Sequence, residues 1–332
     1  MSDSAPAPAP AATGNPVDQH FAALHALAGS ATPASLEESL TLLKDAAQFF
    51  DSAENARRSG TPAPSGEVLG RIKRAATEQP APLSEVLRAV DSGGSALTLG
   101  NERERLNALW VANGAPFCRD AIAGRYPLVR GASRDVTADD FGRFFGPGGI
   151  MDDFFSRNLA PYVDMSSSQW RWRANGSAPL SIPQEVLDQF QRGARLRDMF
   201  FAAGARQPSL RFDVQPLTVD PALGQVTLDI AGQPVTFVPG GDTGFTPIVL
   251  PSGKGSDRVQ LQSPTGSGLR SDGPWAWLRL LDQGQVSGES GERFLLTFNL
   301  GGHKVSYTLR ASSVINPFRR DALEQFRCPA RL

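Results

Sequence analysis

The hydrophobic period of this chain changes near residue 207, and that change decides the fold class. Before it, apolar residues recur every three or four positions. In ASLEESLTLLKDAAQFF this spacing predicts one helix face, formed by Leu36, Leu40, Leu43, Ala47 and Phe50. After residue 207, apolar and polar residues alternate, as in QVTLDI, which is typical of half-buried strands. The order predicts an α+β chain, with an N-terminal helical subdomain followed by an antiparallel β-sandwich.

The strand half contains short alternating segments separated by glycine and proline. RFLLTFNL and HKVSYTL, joined by Gly301 and Gly302, predict a β-hairpin. With LRFDVQ, QVTLDI, PVTF, TPIVL and RVQLQ the sequence predicts roughly seven strands, as in a sandwich. Strands and helices do not alternate along the chain, which excludes a doubly wound fold. We therefore expect a disordered leader at 1–15, a helical subdomain at 16–206, and a β-sandwich domain with a C-terminal tail at 207–332.

The helical half predicts several separate helices. EVLGRIKRAA, PLSEVLRAV and NERERLNALWVANGAPF each show helical spacing, and we expect one helix in each. Thr137 is a candidate N-cap for a further helix, because the next residues include Asp139 and Asp140, which favour a first turn.

The composition excludes several classes of partner. The chain has 332 residues and a net charge of −1, so no overall field attracts nucleic acid or anionic lipid. No apolar run approaches the roughly 18 residues that a membrane span needs. The first residues, MSDSAPAPAPAA, lack the basic and apolar regions of a signal peptide. We expect no nucleic-acid partner and no membrane insertion by this segment.

The sequence shows no convincing metal, cofactor or catalytic site. Its only histidines are His20, His25 and His303, and the first two are five positions apart, which does not fit one helical face. PSGKGSD resembles a phosphate loop, but Gly255 follows its lysine where serine or threonine is needed. We therefore expect no enzyme activity, no metal and no cofactor.

Cys118 and Cys328 are the only cysteines, and three interpretations stay open for them. They are candidates for a disulfide that would attach the C-terminal tail to the middle of the chain. They could equally be two buried free thiols. A nucleophilic Cys118 would need a nearby base, and no hydrolase signature surrounds it.

Two long segments resemble a known protein family. VANGAPFCRDAIAGRYPL, followed by DVTADDFGRFFGPGGIMDDFF, is similar to the C-terminal region of the IcmF/TssM family of bacterial type VI secretion systems. GPWAWLRLL, the hairpin after it and the closing NPF are similar too. The resemblance covers roughly residues 96–332.

The resemblance implies a structural rather than an enzymatic role. Family members are inner-membrane proteins whose periplasmic portion binds the outer-membrane lipoprotein TssJ and builds an oligomeric membrane complex with the inner-membrane protein TssL. This chain resembles an excised periplasmic portion of such a protein. An alternative is a periplasmic glycan-binding module, since Trp170, Trp172, Trp275 and Trp277 could stack on sugar rings.

Within this framework, CRDAIAGRYPL resembles a structural joint of the helical subdomain. Glycine tolerates positive φ and proline fixes φ, so both would shape a turn. The arginines and the aspartate would tie neighbouring segments through charge-assisted hydrogen bonds. The joint residues are Cys118, Arg119, Asp120, Gly124, Arg125, Tyr126 and Pro127.

The lipoprotein contact is expected on loops of the sandwich, because loops on a rigid scaffold usually carry recognition. GGDTGFTP and SPTGSGLRSDGP are the longest polar loops that the sequence predicts. The candidate contact residues in them are Phe245, Thr246, Leu269 and Arg270.

Overall fold

A computed structural model describes residues 15, 17, 21–22, 36–173, 180–202, 204–237, 244–264 and 266–332. His20, His25 and almost all of the leader predicted at 1–15 lie outside them. The chain divides into two compact units, Met1–Arg105 with Ala174–Ser181, and Leu106–Arg173 with Ile182–Leu332. The domain boundary expected at 206–207 remains a prediction.

The first unit is helical. It contains α1 (Leu36–Ser59), α2 (Glu67–Glu78) and the N-terminal part of α3 (Leu83–Phe117). The side chains that form its core are Ala46, Phe49, Val68, Leu69, Ile72, Ala76 and Leu87. The face expected on α1 is partly wrong: Leu40 is exposed, because the buried face centres on Ala46 and Phe49.

Helix α3 is one continuous helix where the sequence predicted two. The separation at Ser92-Gly93-Gly94 does not occur, because Gly94 serves close packing within the first unit rather than a turn. A Cβ added at Gly94 would lie 2.6 Å from Cζ of Phe50 and 2.9 Å from Cδ2 of Leu69. Only glycine lets the helix approach these two side chains so closely.

The helices of the second unit pack around aromatic side chains. Thr137 caps the first of them as predicted, accepting a hydrogen bond from the backbone N–H of Asp140 at 3.0 Å. The ring of Phe141 lies 5.3 Å from Phe200 and 5.0 Å from Trp275. The α-helices are α4 (Ala138–Phe145), α5 (Ile150–Phe154), α6 (Gln184–Phe200), α7 (Ala276–Leu281) and α8 (Asp321–Glu324). Shorter helical turns lie at Cys118–Ile122, Phe155–Leu159, Ala160–Tyr162 and Pro221–Leu223.

The strands of the second unit form antiparallel sheets. A five-stranded sheet has the order β6-β3-β11-β10-β9, a four-stranded sheet has the order β5-β4-β7-β8, and β1 pairs with β2. The strands are β1 (Val163–Asp164), β2 (Arg171–Trp172), β3 (Leu210–Val219), β4 (Val226–Ile230), β5 (Gln233–Phe237), β6 (Thr246–Leu250), β7 (Val259–Gln262), β8 (Gly268–Ser271), β9 (Gln285–Ser290), β10 (Arg293–Leu300) and β11 (His303–Ala311).

The predicted fold class is confirmed. A helical N-terminal part is followed by antiparallel sheets, and neither of the two larger sheets closes on itself. The predicted hairpin forms between β10 and β11, with Leu300 opposite His303. The two larger sheets contain nine strands in the described residues, more than the roughly seven expected from sandwich-like alternation.

Each larger sheet leaves two edge strands, and three of the four edges are short or modified. The β6 edge is occupied at Val249, where the side-chain amide of Gln233 donates to Val249 O at 3.0 Å and accepts from Val249 N at 3.3 Å. β5 contains Pro234, and β8 has only four residues. β9 is the longest of the four edges, and it contains neither proline nor a basic residue.

Among the described helices, none has the length and apolarity that crossing a bilayer requires.

We expect Gly142→Ala to destabilise the second unit. A Cβ at Gly142 would lie 2.4 Å from the backbone oxygen of Arg206, and a backbone atom cannot move aside as a side chain can. The unfolding free energy should fall by about 1–3 kcal/mol, as for other overpacked sites. Urea denaturation followed by circular dichroism measures it.

Gly288→Ala is the matched control, because a Cβ there meets no atom within 4 Å. Its unfolding free energy should stay within about 0.5 kcal/mol of the parent. Equal effects of the two substitutions would contradict the close approach of Gly142 to Arg206.

Candidate functional site

The segment predicted as a joint folds into a compact turn in the second unit. It opens with the helical turn Cys118–Ile122 and reverses at Gly124, whose φ of 70° lies in the left-handed region that favours glycine. The chain then returns beside itself. Tyr126 N donates to Arg134 O at 2.9 Å, and Val136 N donates to Tyr126 O at 2.8 Å.

A disulfide between Cys118 and Cys328 connects this turn to the C-terminal tail. Cys118 is fully buried. Two hydrogen bonds hold the tail nearby: Trp110 Nε1 donates to Pro329 O at 2.8 Å, and Leu332 N donates to Asn107 Oδ1 at 2.9 Å. In this disulfide-bonded state Cys118 has no thiol, so it cannot act as a nucleophile.

Tyr126 lies at the centre of the joint, and Pro127 follows it through a cis peptide bond. Its ring is buried, its hydroxyl donates to Asp282 Oδ2 at 2.8 Å, and the guanidinium carbon of Arg279 lies 4.0 Å from the ring centroid. Burial raises the pKa of the Tyr126 hydroxyl well above its usual value. The positive charge of Arg320 opposes that rise in the pKa, and the hydrogen bond to Asp282 adds to it.

Asp282 follows α7 and collects cations from two other parts of the chain. Arg130 Nε lies 3.3 Å from Asp282 Oδ1, and Arg320 Nε lies 3.2 Å from the same oxygen. Arg320 Nη2 also donates to Asp282 Oδ2 at 3.2 Å. A half-buried carboxylate needs such partners, because an unpaired charge is unfavourable away from water.

A second ion pair ties the joint to α7. Arg279 pairs with the carboxylate of Asp135 and donates to the backbone oxygen of Ala132 at 2.9 Å. The indole N–H of Trp275 donates to Val136 O at 2.7 Å. Residues 126–136 are therefore fixed to the segment 275–282 by both charged and neutral hydrogen bonds.

The other predicted joint residues divide into two kinds. Arg125 links two segments, because its Nη2 donates to Asp120 O at 2.8 Å and its Nη1 donates to Asp135 O at 3.4 Å. Arg119 and Asp120 pair with each other on the surface, Nε to Oδ1 at 2.7 Å. This exposed pair ties no distant segments and contributes little.

His303 is engaged by a carboxylate rather than by other metal-ligand residues. Its Nδ1 lies 2.9 Å from Asp220 Oδ2. The pKa of Asp220 is lowered, first by the backbone N–H of Ala222 and then by His303. Within the part of the chain that the structure describes, no three His, Cys, Asp or Glu side chains converge on a metal-sized site.

The four predicted contact residues lie on edge strands of two different sheets. Phe245 precedes β6, and the guanidinium of Arg310 lies 4.5 Å from its ring centroid; Thr246 is the first residue of β6. Leu269 and Arg270 lie in β8. Their placement in a loop was therefore wrong: SPTGSGLRSDGP contains a short strand that pairs with β7. Their role in binding stays a prediction.

Two of the four tryptophans considered for glycan binding are inaccessible. Trp275 and Trp277 are buried, and Trp277 stacks on Phe212 with 4.8 Å between ring centroids. Trp170 stacks on Phe155 at 4.5 Å, so one of its faces is already covered. The structure thus favours a packing role for these three side chains.

Comparisons with known proteins agree with this architecture. A family model described as "Type VI secretion protein IcmF C2-like domain" matches residues 212–313. "Type VI secretion system component TssM1" from Pseudomonas aeruginosa PAO1 is 36% identical over 337 aligned residues, which cover 96% of this chain.

This chain belongs to the IcmF/TssM family. It spans 30% of the length of TssM1 from P. aeruginosa.

Solved structures show the IcmF/TssM fold over most of the chain. A chain of a "Type VI secretion system membrane core complex" matches with a TM-score of 0.73 and 18% identity, covering 95% of this chain and 70% of that chain. The "T6SS protein TssM C-terminal domain" from EAEC matches with a TM-score of 0.59 and 21% identity, covering 69% of this chain and 98% of that one.

Sequence reasoning missed the charged groups that complete the joint of this IcmF/TssM chain. Asp282 stands 156 residues from Tyr126, and Arg320 stands 38 residues further on. The one signal was proximity to recognised segments, since Asp282 follows GPWAWLRLL and Arg320 follows NPF.

We expect Tyr126→Phe to reduce stability near neutral pH by about 1–2 kcal/mol, because Asp282 loses a buried hydrogen-bond donor. The same substitution should reduce the loss of stability in alkali. The raised pKa of Tyr126 favours the folded state fully below the ordinary tyrosine pKa of about 10, and this contribution disappears as pH rises above it. Urea unfolding at pH 8 and pH 11 should show the difference from the parent narrowing by up to about 1.4 kcal/mol per pH unit.

Tyr307→Phe is the matched control. Tyr307 is also buried with a raised pKa, but its hydroxyl has no hydrogen-bond partner among the described residues. It should change stability little at pH 8 and narrow the alkaline loss in the same way. Equal losses for both variants at pH 8 would contradict the Tyr126–Asp282 hydrogen bond.

We expect the disulfide to be quantitative and strongly stabilising. Alkylation in denaturant without reductant should leave both cysteines unlabelled in the mass spectrum. Cys118→Ala with Cys328→Ala should lower the unfolding free energy by about 3–5 kcal/mol, since the bond closes a loop of 210 residues. Two labelled thiols in the unreduced protein would refute the pairing.

Proposed function

We propose that this chain is a non-enzymatic structural part of the type VI secretion membrane complex, lies in the periplasm and binds the outer-membrane lipoprotein TssJ. The observation that carries the proposal is 36% identity to TssM1 across 96% of the chain. In the full assembly, TssL would be the inner-membrane partner, and several copies of the chain would take part.

Two structural features support a load-bearing periplasmic role. A disulfide is typical of oxidising compartments, which include the bacterial periplasm. The charged groups of the joint are engaged with one another across three segments, through Asp282 and through the Arg279–Asp135 pair. This bracing suits a protein that transmits force between membranes.

The lipoprotein contact is proposed on the edge strands β6 and β8. Phe245 offers a half-buried ring beneath Arg310, and Leu269 is a half-buried leucine on the outermost strand of its sheet. Arg270 is exposed and shares Asp272 with Arg258. An apolar centre with a charged rim is the usual arrangement at a protein interface.

Titration calorimetry of the oxidised 332-residue chain against the soluble part of TssJ tests the proposal. The whole chain is needed, because Trp275 donates to Val136 and the disulfide joins Cys118 to Cys328, so residues 207–332 alone would lose both contacts. We expect saturable one-to-one binding. Leu269→Ala should weaken it at least about fivefold, which is about 1 kcal/mol.

Leu217→Ala is the control, because Leu217 is an exposed strand leucine on β3. It should leave the affinity unchanged. Absence of binding by the folded, oxidised chain would refute TssJ as a partner of this segment. Binding that Leu269→Ala and Phe245→Ala leave intact would show that the contact lies elsewhere.

A further inference from the structure

The edge strand β9 is the least protected edge of the two larger sheets. It pairs with β10 on one side and ends the sheet on the other, so its outer N–H and C=O groups face no further strand. Its sequence, QVSGES, contains no proline and no lysine, the residues that proteins commonly place on edges to prevent pairing. Its outer face is also open near Gly288, where a Cβ would meet no atom within 4 Å.

A cleft of about 560 Å³ runs beside this strand. Val286 and Gly288 of β9 line one side, and Phe318, Arg319 and Arg320 line another. The apolar and basic groups are thus close to the unpaired backbone of β9, within reach of the side chains of an added strand.

The cleft has cationic groups that the protein does not fully use. Arg319 is exposed and makes no ion pair in the part of the chain that the structure describes. Arg320 contacts Asp282, but its Nη1 is buried without a hydrogen-bond acceptor among the described residues. Arg130, at the same cleft, is half-exposed. Asp282 already receives Tyr126, Arg130 and Arg320, so a further carboxylate would find Arg319 and the free side of Arg320.

A fixed apolar tip stands at the same end of the sheet. Val314 and Ile315 are 69% and 43% exposed. Asn316 is buried and holds their loop, because its Nδ2 donates to Ser313 O at 3.0 Å and to Val314 O at 3.1 Å. The tip is therefore presented in a fixed conformation, which reduces the entropy lost on binding.

The tip and the end of β9 are neighbours in the sheet. Arg293 of β10 lies opposite both Ser290 of β9 and Arg310 of β11, and the loop carrying Val314 follows directly after β11. The same loop continues into Phe318 and Arg319 of the cleft. We define the β9 surface as Gln285–Ser290, Val314, Ile315, Arg319 and Arg320.

We propose that the β9 surface binds an extended, carboxylate-bearing segment of another polypeptide as a sixth strand of the five-stranded sheet. The partner's backbone would pair with β9, a carboxylate would meet Arg319 and Arg320, and an apolar side chain would cover Val314 and Ile315. A lipid surface does not fit, because it offers no hydrogen bonds to the edge backbone and two aliphatic side chains give little anchoring. This surface is separate from the β6 and β8 contacts proposed for TssJ, so either proposal can fail alone.

The test uses the oxidised 332-residue chain and a blocked seven-residue peptide in which valine and glutamate alternate. Two control peptides replace the glutamates by lysine or the central residue by proline. Fluorescence anisotropy of labelled peptides should give saturable binding only for the first, with at least tenfold weaker binding of both controls. Hydrogen exchange should show slower exchange of backbone amides in 285–290 when the first peptide is bound.

Two variants with matched controls locate the site. Arg319→Glu and Val314→Asp should each weaken peptide binding at least tenfold with unchanged Tm, because both side chains are exposed. Arg171→Glu and Val249→Asp change an exposed arginine on β2 and an exposed valine on β6, and should leave binding unchanged.

Three results would overturn the proposal. One is no binding of the alternating peptide at millimolar concentration. Another is equal binding of the proline peptide, or protection outside 285–290. The third is a dimer of the chain, seen by light scattering, that Val314→Asp dissociates and the peptide does not, since the occupant would then be a second copy.

Discussion

The carboxylate of Asp282 is the point at which three distant stretches of the second unit meet. Tyr126 and Arg130 reach it from the joint, Arg320 reaches it from the C-terminal segment, and Asp282 itself ends the segment that carries α7. A buried carboxylate is stable only while its partners are in place, so removing one partner exposes the cost of the others. The position of each stretch therefore depends on the other two.

The disulfide and this ion cluster constrain the same part of the chain in different ways. The cystine limits the unfolded ensemble, because it closes a long loop. The ion cluster acts in the folded state, where it selects one arrangement of the turn 126–136 against α7. Together they make the joint a covalently and electrostatically fixed base for the sheets, which is consistent with a structural member of a secretion complex.

Local pattern was sufficient for the elements whose stability is local. The β10–β11 hairpin follows from strict alternation on both sides of Gly301 and Gly302, and the α4 cap follows from Thr137. The cluster around Asp282 could not be predicted in this way, because tertiary contacts choose its members. The break expected in α3 failed for a related reason: Gly94 is required by the neighbouring Phe50 rather than by a turn. Similarly, the glycines and prolines around Leu269 concealed the four-residue strand β8.

The glutamine on β5 has a consequence for how the five-stranded sheet can grow. A side-chain amide presents one donor and one acceptor, the same pair that a peptide group presents, so Gln233 imitates a single residue of a neighbouring strand at Val249. The sheet thus carries its own terminator at β6 and none at β9. Extension of this sheet is therefore directional, and one amide side chain sets the direction.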